Sequence, residues 1–186
     1  IGGDQGGAMG ESWSDLTSAE YLNENGLVPV AGENPFAVGA YVTGDGQAGI
    51  RNYGMNNSAL NYSNVGYDIT GAQVHADGEI WSATNFDIRQ ALINKYNASF
   101  PASNAALQRD CAEGKVAVDK CPGNRRWAQL MFDAWLLMPA VPSMLDARDA
   151  LLAADKLRFA EANKLELWTA FARRGMGRSA STNGSN

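Results

Sequence analysis

The sequence contains only one histidine, His75, among its 186 residues, and it lacks a His-Glu-x-x-His motif. Enzymatic zinc sites built on that motif take two of their three protein ligands from its histidines. A complete site of that kind is therefore excluded for this chain alone. Neither an initiator methionine nor a signal-like leader precedes Ile1, so we expect a processed or truncated product.

Positive charge and long apolar runs are also scarce. Fifteen lysines and arginines stand against 20 aspartates and glutamates, for a formal net charge of -5 and a pI near 4.8. An acidic surface repels phosphate backbones, which excludes nucleic acid as the main partner. The most apolar stretch, 127–145, is interrupted by Asp133, Pro139 and Pro142. It predicts a buried helix followed by a break, not a membrane span.

Cysteine occurs only twice, at Cys111 and Cys121, on either side of a short polar stretch that contains Gly114. We interpret the pair as a local disulfide that closes a small loop, with free thiols as the alternative. Two cysteines alone do not establish an oxidising compartment.

Apolar residues recur at three- and four-residue spacing in several segments, which predicts a mainly α-helical chain. The predicted helices span 8–25, 71–96, 101–111, 124–138, 143–155 and 158–173. Gly26 is expected to end the first helix, and Ser143 with Asp146 forms a capping-box pattern before the fifth. Residues 1–7 are a glycine-rich lead-in that is not expected to pack.

Residues 27–72 are rich in glycine, asparagine, tyrosine and serine and have little periodicity. They predict irregular structure, with short extended pieces near 37–43. A segment of this length without clear elements is unusual inside a domain unless it serves a site. We therefore expect it to line a functional cleft.

Glu11 and Asp15 stand four residues apart, on one face of the first predicted helix. A carboxylate can be the third ligand of a zinc ion held by two histidines. A second carboxylate one turn later can accept a hydrogen bond from a zinc-bound histidine and fix its tautomer. Acidic pairs also occur on solvated helix faces, but Met9, Trp13 and Leu16 make this segment apolar and favour a buried carboxylate with a partner or a metal.

The segment Gly-Ala-Met-Gly-Glu-Ser-Trp-Ser-Asp at 7–15 resembles the Gly-Met-Gly-Glu-Gly-Trp-Ser-Asp segment of fungalysins, peptidases related to thermolysin. Ser12 replaces a glycine of that pattern. The resemblance implies that Glu11 is the third zinc ligand and that Asp15 orients a zinc-bound histidine. Segments 127–131, 145–155 and 167–177 resemble the terminal helices of the same family, in the same order.

The segment Val-His-Ala-Asp-Gly-Glu-Ile-Trp at 74–81 is similar to the fungalysin Val-His-Ala-Ile-Gly-Glu-Val-Trp. The resemblance implies that His75 donates a hydrogen bond to the oxyanion of the tetrahedral intermediate. Asp77 replaces an apolar residue and would raise the pKa of His75 if the two groups met. Glu79 is given no catalytic role. Arg51, in a Gly-Ile-Arg segment, resembles a family arginine that binds a substrate carbonyl and braces the site.

The resemblance implies a fold that is mainly α-helical, the C-terminal subdomain of a thermolysin-like catalytic domain with a loop-rich insertion. The expected organisation is a subdomain over 1–178, with cleft-lining loops at 27–72 and an insert at 101–123, and a flexible tail at 179–186. It also implies a secreted zinc endopeptidase acting on peptides or proteins. Its Zn²⁺ would be shared with two histidines of the N-terminal part of the same peptidase, which is the expected partner. We assign no calcium site.

A non-catalytic adhesion or scaffold module that retains the peptidase fold is the alternative. Decay of a metal site would scatter changes over Glu11, Asp15, Arg51 and His75, whereas all four are present. The truncated enzyme is therefore favoured. Chance matches in a free-standing helical domain are disfavoured by the order of the matched segments.

Because two metal ligands and the general base are missing, we predict that the isolated 186-residue chain hydrolyses no peptide bonds. An assay of the purified chain on a casein or peptide substrate, with and without a chelator, checks this. Chelator-sensitive hydrolysis by the chain alone would contradict it.

Overall fold

Helices provide the regular structure of residues 2–27 and 31–182, which are the residues that the computed structural model describes. The seven α-helices, in chain order, are α1 (Asp4–Glu24), α2 (Ala40–Thr43), α3 (Val74–Tyr96), α4 (Ala105–Ala112), α5 (Gly123–Trp135), α6 (Met144–Phe159) and α7 (Lys164–Arg173). Short 3-10 turns lie at Tyr62–Asn64 and Val118–Lys120. The mainly α-helical fold predicted from the sequence is confirmed.

Two predicted helix boundaries are confirmed, the end of α1 at Gly26 and the start of α6 at Ser143. At the end of α1, Gly26 has a φ of 66°, and the N–H of Leu27 donates to the carbonyl of Leu22 at 2.8 Å. This is the Schellman arrangement, which needs a left-handed residue and therefore favours glycine. At the start of α6, the Ser143 hydroxyl accepts from the N–H of Asp146, and the Asp146 carboxylate accepts from the N–H of Ser143.

The prediction that residues 1–7 do not pack is wrong for residues 4–7, because α1 already begins at Asp4. Gln5 is only 2% exposed. Its side-chain oxygen accepts from the N–H of Met144 at 2.8 Å, at the start of α6, and from the hydroxyl of Tyr62 at 3.3 Å. These partners are distant along the chain, so the glycine-rich composition alone gives no sign of them.

The extended pieces predicted near 37–43 are also wrong, because Ala40–Thr43 form the single turn of α2. Gly39 and Gly44 flank this turn in the left-handed conformation. Within the described residues, β-pairing is limited to one parallel bridge between Val38 and Gly49. Apolar residues in a single helical turn and in a short strand have the same composition, and tertiary contacts decide between them.

The last helix, α7, starts at Lys164, later than the predicted start at 158. Ala160 and Glu161 have φ values of 51° and 64°, in the left-handed region that residues other than glycine rarely adopt. The buried carboxylate of Asp155 accepts from the N–H of Asn163 at 3.0 Å and holds this turn. Since neither left-handed residue is glycine, the break has no signal in the sequence.

The segment predicted as an insert contains the Cys111–Cys121 disulfide, which confirms that pairing. The end of this segment is attached to α3, because the N–H of Gly123 donates to the side-chain oxygen of Asn97 at 2.7 Å. The segment therefore returns to the core at the point where α5 begins.

Part of the predicted flexible tail is packed. Ala180 contacts the hydrophobic core, and its N–H donates to the carbonyl of Gly177 at 3.0 Å. Residues 183–186 of the tail lie outside the described residues.

The core is centred on α1 and α3, with α5, α6 and α7 packed around them. Its largest fully buried side chains are Met9, Ile80, Trp81, Ile88, Leu92, Trp127, Leu130, Met131, Met144, Leu151, Leu167 and Phe171. Burying one side chain of this size stabilises a fold by about 1.5–3 kcal/mol. This core fixes α1 against α3, and these two helices carry three of the four predicted site residues.

Small residues allow α1 and α3 to approach each other closely. A Cβ atom added at Gly78 would lie 2.8 Å from the carbonyl oxygen of Ala8. The hydroxyls of Ser12 and Ser82 form a buried hydrogen bond of 2.8 Å across the same interface. Ser12, the departure from the fungalysin pattern, therefore faces α3 and is accommodated by a partner there.

The irregular segment before α3 is held against the helices by Arg174. Its guanidinium donates to the carbonyls of Ser58 and Leu60 at 2.9 and 2.7 Å and to the carboxylate of Asp87 at 2.7 Å. A buried arginine with carbonyl and carboxylate acceptors is satisfied, so the loop can pack without leaving its backbone oxygens unpaired.

In the part of the chain that the structure describes, none of the helices combines the length and the apolar character needed to cross a bilayer.

We predict that Gly78→Ala lowers the free energy of unfolding by about 1–3 kcal/mol, because the new methyl group would press on a backbone carbonyl that cannot move away cheaply. Gly10→Ala is the matched control. Gly10 lies in α1 with nothing within 4 Å of an added Cβ, so this change should stabilise by about 0.5–1 kcal/mol. Urea unfolding of both variants checks the pair, and equal effects would show that α1 and α3 are not in close contact at Gly78.

Candidate functional site

The structure brings all four predicted site residues together. Glu11 and Asp15 lie on α1, His75 lies in the first turn of α3, and Arg51 lies in the loop between α2 and α3. Arg51 contacts both carboxylates, and Glu11 contacts both Arg51 and His75. Segments that are far apart in the sequence therefore converge on one cluster.

Arg51 and Asp15 form the tightest contact of this cluster. Arg51 Nε lies 2.7 Å from Asp15 Oδ2, and Arg51 Nη2 lies 3.1 Å from Asp15 Oδ1. Both side chains are largely buried, at 9% and 11% exposure. Burial alone would lower the pKa of Arg51, but its bonds to Asp15 and Glu11 raise it instead. The guanidinium is therefore a permanent positive charge in a bidentate pair.

Glu11 is held more loosely and is more open to solvent. Its Oε2 atom lies 3.4 Å from Arg51 Nη2 and 3.3 Å from His75 Nε2, and its side chain is 39% exposed. Long contacts of this kind are weak, because hydrogen-bond strength falls with distance. Glu11 is thus an oriented carboxylate that can still reach a ligand from outside the chain.

His75 is positioned by the residue that caps its helix. Gln73 is the N-cap of α3, and its side-chain oxygen accepts from the N–H of Ala76 at 2.7 Å. The amide nitrogen of the same side chain lies 2.9 Å from His75 Nδ1. The opposite ring nitrogen, Nε2, faces Glu11, and the histidine side chain is 52% exposed. The ring is therefore accessible and is contacted on both of its nitrogens.

Glu79 holds the loop that carries Arg51. This carboxylate is buried, and it accepts from the N–H of Asn52 at 2.9 Å and the N–H of Tyr53 at 3.0 Å. Burial raises its pKa above the ordinary value, against the lowering effect of those two bonds. Glu79 thus anchors the loop that carries Arg51, a contact that was not predicted from the sequence. The neighbouring residues Ile80 and Trp81 are apolar, and this was the signal in the sequence that Glu79 could be buried.

Asp77 does not act on His75 in the way considered from the sequence. Its carboxylate accepts from the N–H of Gly66 at 2.7 Å and is buried, which raises its pKa. The acidic partner of His75 is Glu11 instead. In a helix, side chains two residues apart point to different faces, so Asp77 turns away from the imidazole that Glu11 contacts.

The residues present fit a shared metal site but not a complete one. In the described ranges 2–27 and 31–182, no group of three or more histidine, cysteine, aspartate or glutamate side chains is arranged to hold a metal ion. A half-exposed carboxylate with a second, buried carboxylate one turn later is the donor set that a neighbouring pair of histidines would need. Glu11 and Asp15 supply it.

The loop segment 27–72 reaches this cluster through residues 51–53, which carry Arg51 and the two amides bound by Glu79. Residues 28–30 of the segment lie outside the described residues. The cleft-lining role of the whole segment stays a prediction.

Comparison with known proteins identifies similar sequences along nearly the whole chain. The family model described as fungalysin metallopeptidase (M36) matches residues 1–180. The chain is 31% identical to the extracellular metalloproteinase mep of Aspergillus terreus over 99% of its own length and 27% of that protein. It is 32% identical to the extracellular metalloproteinase MEP of Leptosphaeria maculans over 95% of its length and 26% of that protein. The chain thus spans about a quarter of the length of these curated relatives.

We predict that Glu79→Gln weakens the pH dependence of stability above the ordinary carboxyl pKa of 4.5. Glu79 has a raised pKa in the folded protein, so the folded form keeps a proton that the unfolded chain has already lost. The free energy of unfolding therefore falls as the pH rises from 4.5 through the folded-state pKa, and the variant lacks this contribution.

Urea unfolding of the wild type and of Glu79→Gln at several pH values across that interval checks this prediction. Glu113→Gln, which removes a carboxylate from a surface ion pair with Lys115, is the matched control. Identical slopes for the wild type and Glu79→Gln would show that burial does not perturb this group.

Proposed function

The chain belongs to the fungalysin metallopeptidases, and from that premise we propose that it is the C-terminal part of the catalytic domain of a secreted zinc endopeptidase. One observation carries the proposal: Glu11 lies within 3.3 Å of His75 and 3.4 Å of Arg51, with its side chain open to solvent. A carboxylate that can bind a metal, an imidazole that can donate a hydrogen bond and a fixed positive charge at one place are groups that serve metal-assisted hydrolysis of a peptide bond.

Glu11 would be the third protein ligand of Zn²⁺, and two histidines from a preceding His-Glu-x-x-His segment would complete the set. When bound, the ion supplies a Lewis acid for the scissile carbonyl and lowers the pKa of a water molecule to produce the nucleophile. The glutamate of the same preceding segment would accept the proton of that water. The N-terminal part of the peptidase, in the same chain or in a separate one, is therefore the immediate partner.

Asp15 is proposed to orient one of those histidines. A carboxylate has about four lone-pair positions. The two bonds from Arg51 occupy one position on each oxygen, so an imidazole N–H can still be accepted. The two bonds from Arg51 hold the Asp15 carboxylate in one orientation, and an oriented carboxylate is the group that fixes the tautomer of a histidine ligand and raises its basicity.

His75 is proposed to donate from Nε2 to the oxyanion that forms when water attacks the carbonyl. Its exposure and its place beside Glu11 support this role, because the oxyanion would develop close to the ligand of the metal. A single donor of this kind contributes about 2.7–4 kcal/mol to catalysis in other hydrolases. Arg51 is proposed to brace Glu11 and Asp15 and to contact a substrate carbonyl, and its near-complete burial favours the bracing part.

Secretion is proposed because the matched relatives are named extracellular metalloproteinases. The local disulfide between Cys111 and Cys121 agrees with an oxidising environment. Peptide or protein substrates follow from the proposed reaction.

The test of the proposed function is Glu11→Gln in the complete translation product of the gene that encodes this chain. Glutamine keeps the shape of the side chain but removes the anionic ligand. We expect zinc content to fall and chelator-sensitive hydrolysis of casein to drop by more than about 100-fold, since losing even an outer-shell partner of a metal costs about 10–100-fold.

The matched control is Glu113→Gln, the same chemical change at a surface pair with Lys115. It should keep both zinc and activity. Unchanged zinc content and activity in Glu11→Gln would overturn the assignment of the ligand. A wild-type product that binds no zinc and hydrolyses nothing would instead support the adhesion or scaffold module.

A further inference from the structure

We propose that Gln73 is a positioning residue that fixes the tautomer of His75, so that the proton of the neutral ring lies on Nε2 and points toward Glu11. This inference rests on the proposed function, because it concerns the donor in that reaction. It adds a residue that belongs to neither of the sequence segments that resemble the fungalysin motifs at 7–15 and 74–81.

The orientation of the Gln73 amide follows from its role as a helix cap. Its oxygen accepts from the N–H of Ala76 at 2.7 Å, which a nitrogen could not do. The NH₂ group of the amide must therefore be the end that lies 2.9 Å from His75 Nδ1. An amide NH₂ can only donate, so Nδ1 accepts, and in a neutral imidazole the proton must be on Nε2.

Nε2 is the nitrogen that faces the cluster. It lies 3.3 Å from Glu11 Oε2, so the N–H selected by Gln73 points at the carboxylate proposed to hold the metal. The histidine side chain is 52% exposed, and both neutral tautomers of an exposed imidazole are populated in water, so a fixed contact is needed to hold one of them. The Gln73 donor contacts Nδ1 at 2.9 Å, closer than the Glu11 acceptor lies to Nε2, and both contacts favour the Nε2–H form at the site where an oxyanion donor is required.

Capping alone does not account for glutamine at this position. Serine, threonine, asparagine and aspartate are the preferred N-cap residues, because a short side chain reaches the free N–H groups of the first turn with less loss of entropy. Glutamine is longer and also carries a donor. At Gln73 the additional length and the donor serve the contact to His75, two residues along the chain.

Two variants separate the capping role from the positioning role. Gln73→Ser keeps an oxygen suited to capping α3 but has no amide that can reach His75 Nδ1. Gln73→Glu keeps the length and the capping oxygen but replaces the donor by an acceptor. A residue that only capped the helix would tolerate both changes, and serine would cap at least as well.

The first readout is the tautomer itself. His75 is the only histidine of the 186-residue chain, so long-range proton–nitrogen correlation spectra of the ¹⁵N-histidine-labelled chain report on one ring. At a pH where the ring is neutral, we expect the Nε2–H pattern in the wild type. We expect a mixture of tautomers in Gln73→Ser and the Nδ1–H pattern in Gln73→Glu.

The second readout is the steady-state kinetics of the complete translation product. If His75 donates only in the transition state, Gln73→Ser should lower kcat by about 10- to 100-fold, the range observed when a group that hydrogen-bonds a metal-bound histidine is removed, and change KM little. Thermal unfolding of the same variants controls for loss of the fold.

The outcomes are distinct. The Nε2–H pattern in all three proteins, or an unchanged kcat in Gln73→Ser, would overturn the positioning role and leave Gln73 as a helix cap. A wild-type product without chelator-sensitive hydrolysis would overturn the proposed function, and the tautomer spectra would then decide on their own whether Gln73 controls the ring of His75.

Discussion

The buried ion pair between Arg51 and Asp15 is the interaction on which the site depends. Two charges that are each about one-tenth exposed would be costly if either stood alone, because removing one partner of such a pair typically costs about 3–5 kcal/mol. The pair therefore locks an irregular loop onto α1. Glu79 holds the same loop from α3 through two backbone amides, so the position of Arg51 is fixed from both helices.

This arrangement requires α1 and α3 to lie at a fixed distance and register, and the packing of small residues provides that. Gly78 lets the carbonyl oxygen of Ala8 approach so closely that an added Cβ would lie only 2.8 Å from it, and Ser12 meets Ser82 in the same interface. Adjacent residues of α1 contact different parts of this interface: Ser12 bonds to Ser82 inside it, and Glu11 reaches Arg51 and His75 at its edge. One side of α1 thus packs against α3, and the neighbouring side carries the carboxylate that contacts Arg51 and His75.

Periodicity and local signals were sufficient to predict the six longer helices, the end of α1 at Gly26 and the capping box at Ser143, because each of these depends on neighbours within a few residues. The single turn of α2 was not predicted. The motif resemblance selected Glu11, Asp15, Arg51 and His75, which the structure brings into one cluster. The start of α7 was not predictable, since Ala160 and Glu161 adopt a conformation that their residue types disfavour. The partners of Glu79 and Asp77 depend on loop backbone groups brought close only by the tertiary fold.

The two carboxylates of α1 differ in how firmly they are held, and that difference suits their proposed roles. Asp15 receives two bonds from Arg51, at 2.7 and 3.1 Å, inside the protein, whereas Glu11 receives contacts of 3.3 and 3.4 Å at the surface. Since charge-assisted hydrogen bonds weaken as they lengthen, exchanging the contacts of Glu11 for a metal costs far less than exchanging those of Asp15. The firmly held carboxylate can orient a histidine without moving, and the loosely held one can turn toward the ion. The two proposed roles, metal ligand for Glu11 and orienting group for Asp15, thus agree with the different contacts that the two carboxylates make with the single guanidinium of Arg51.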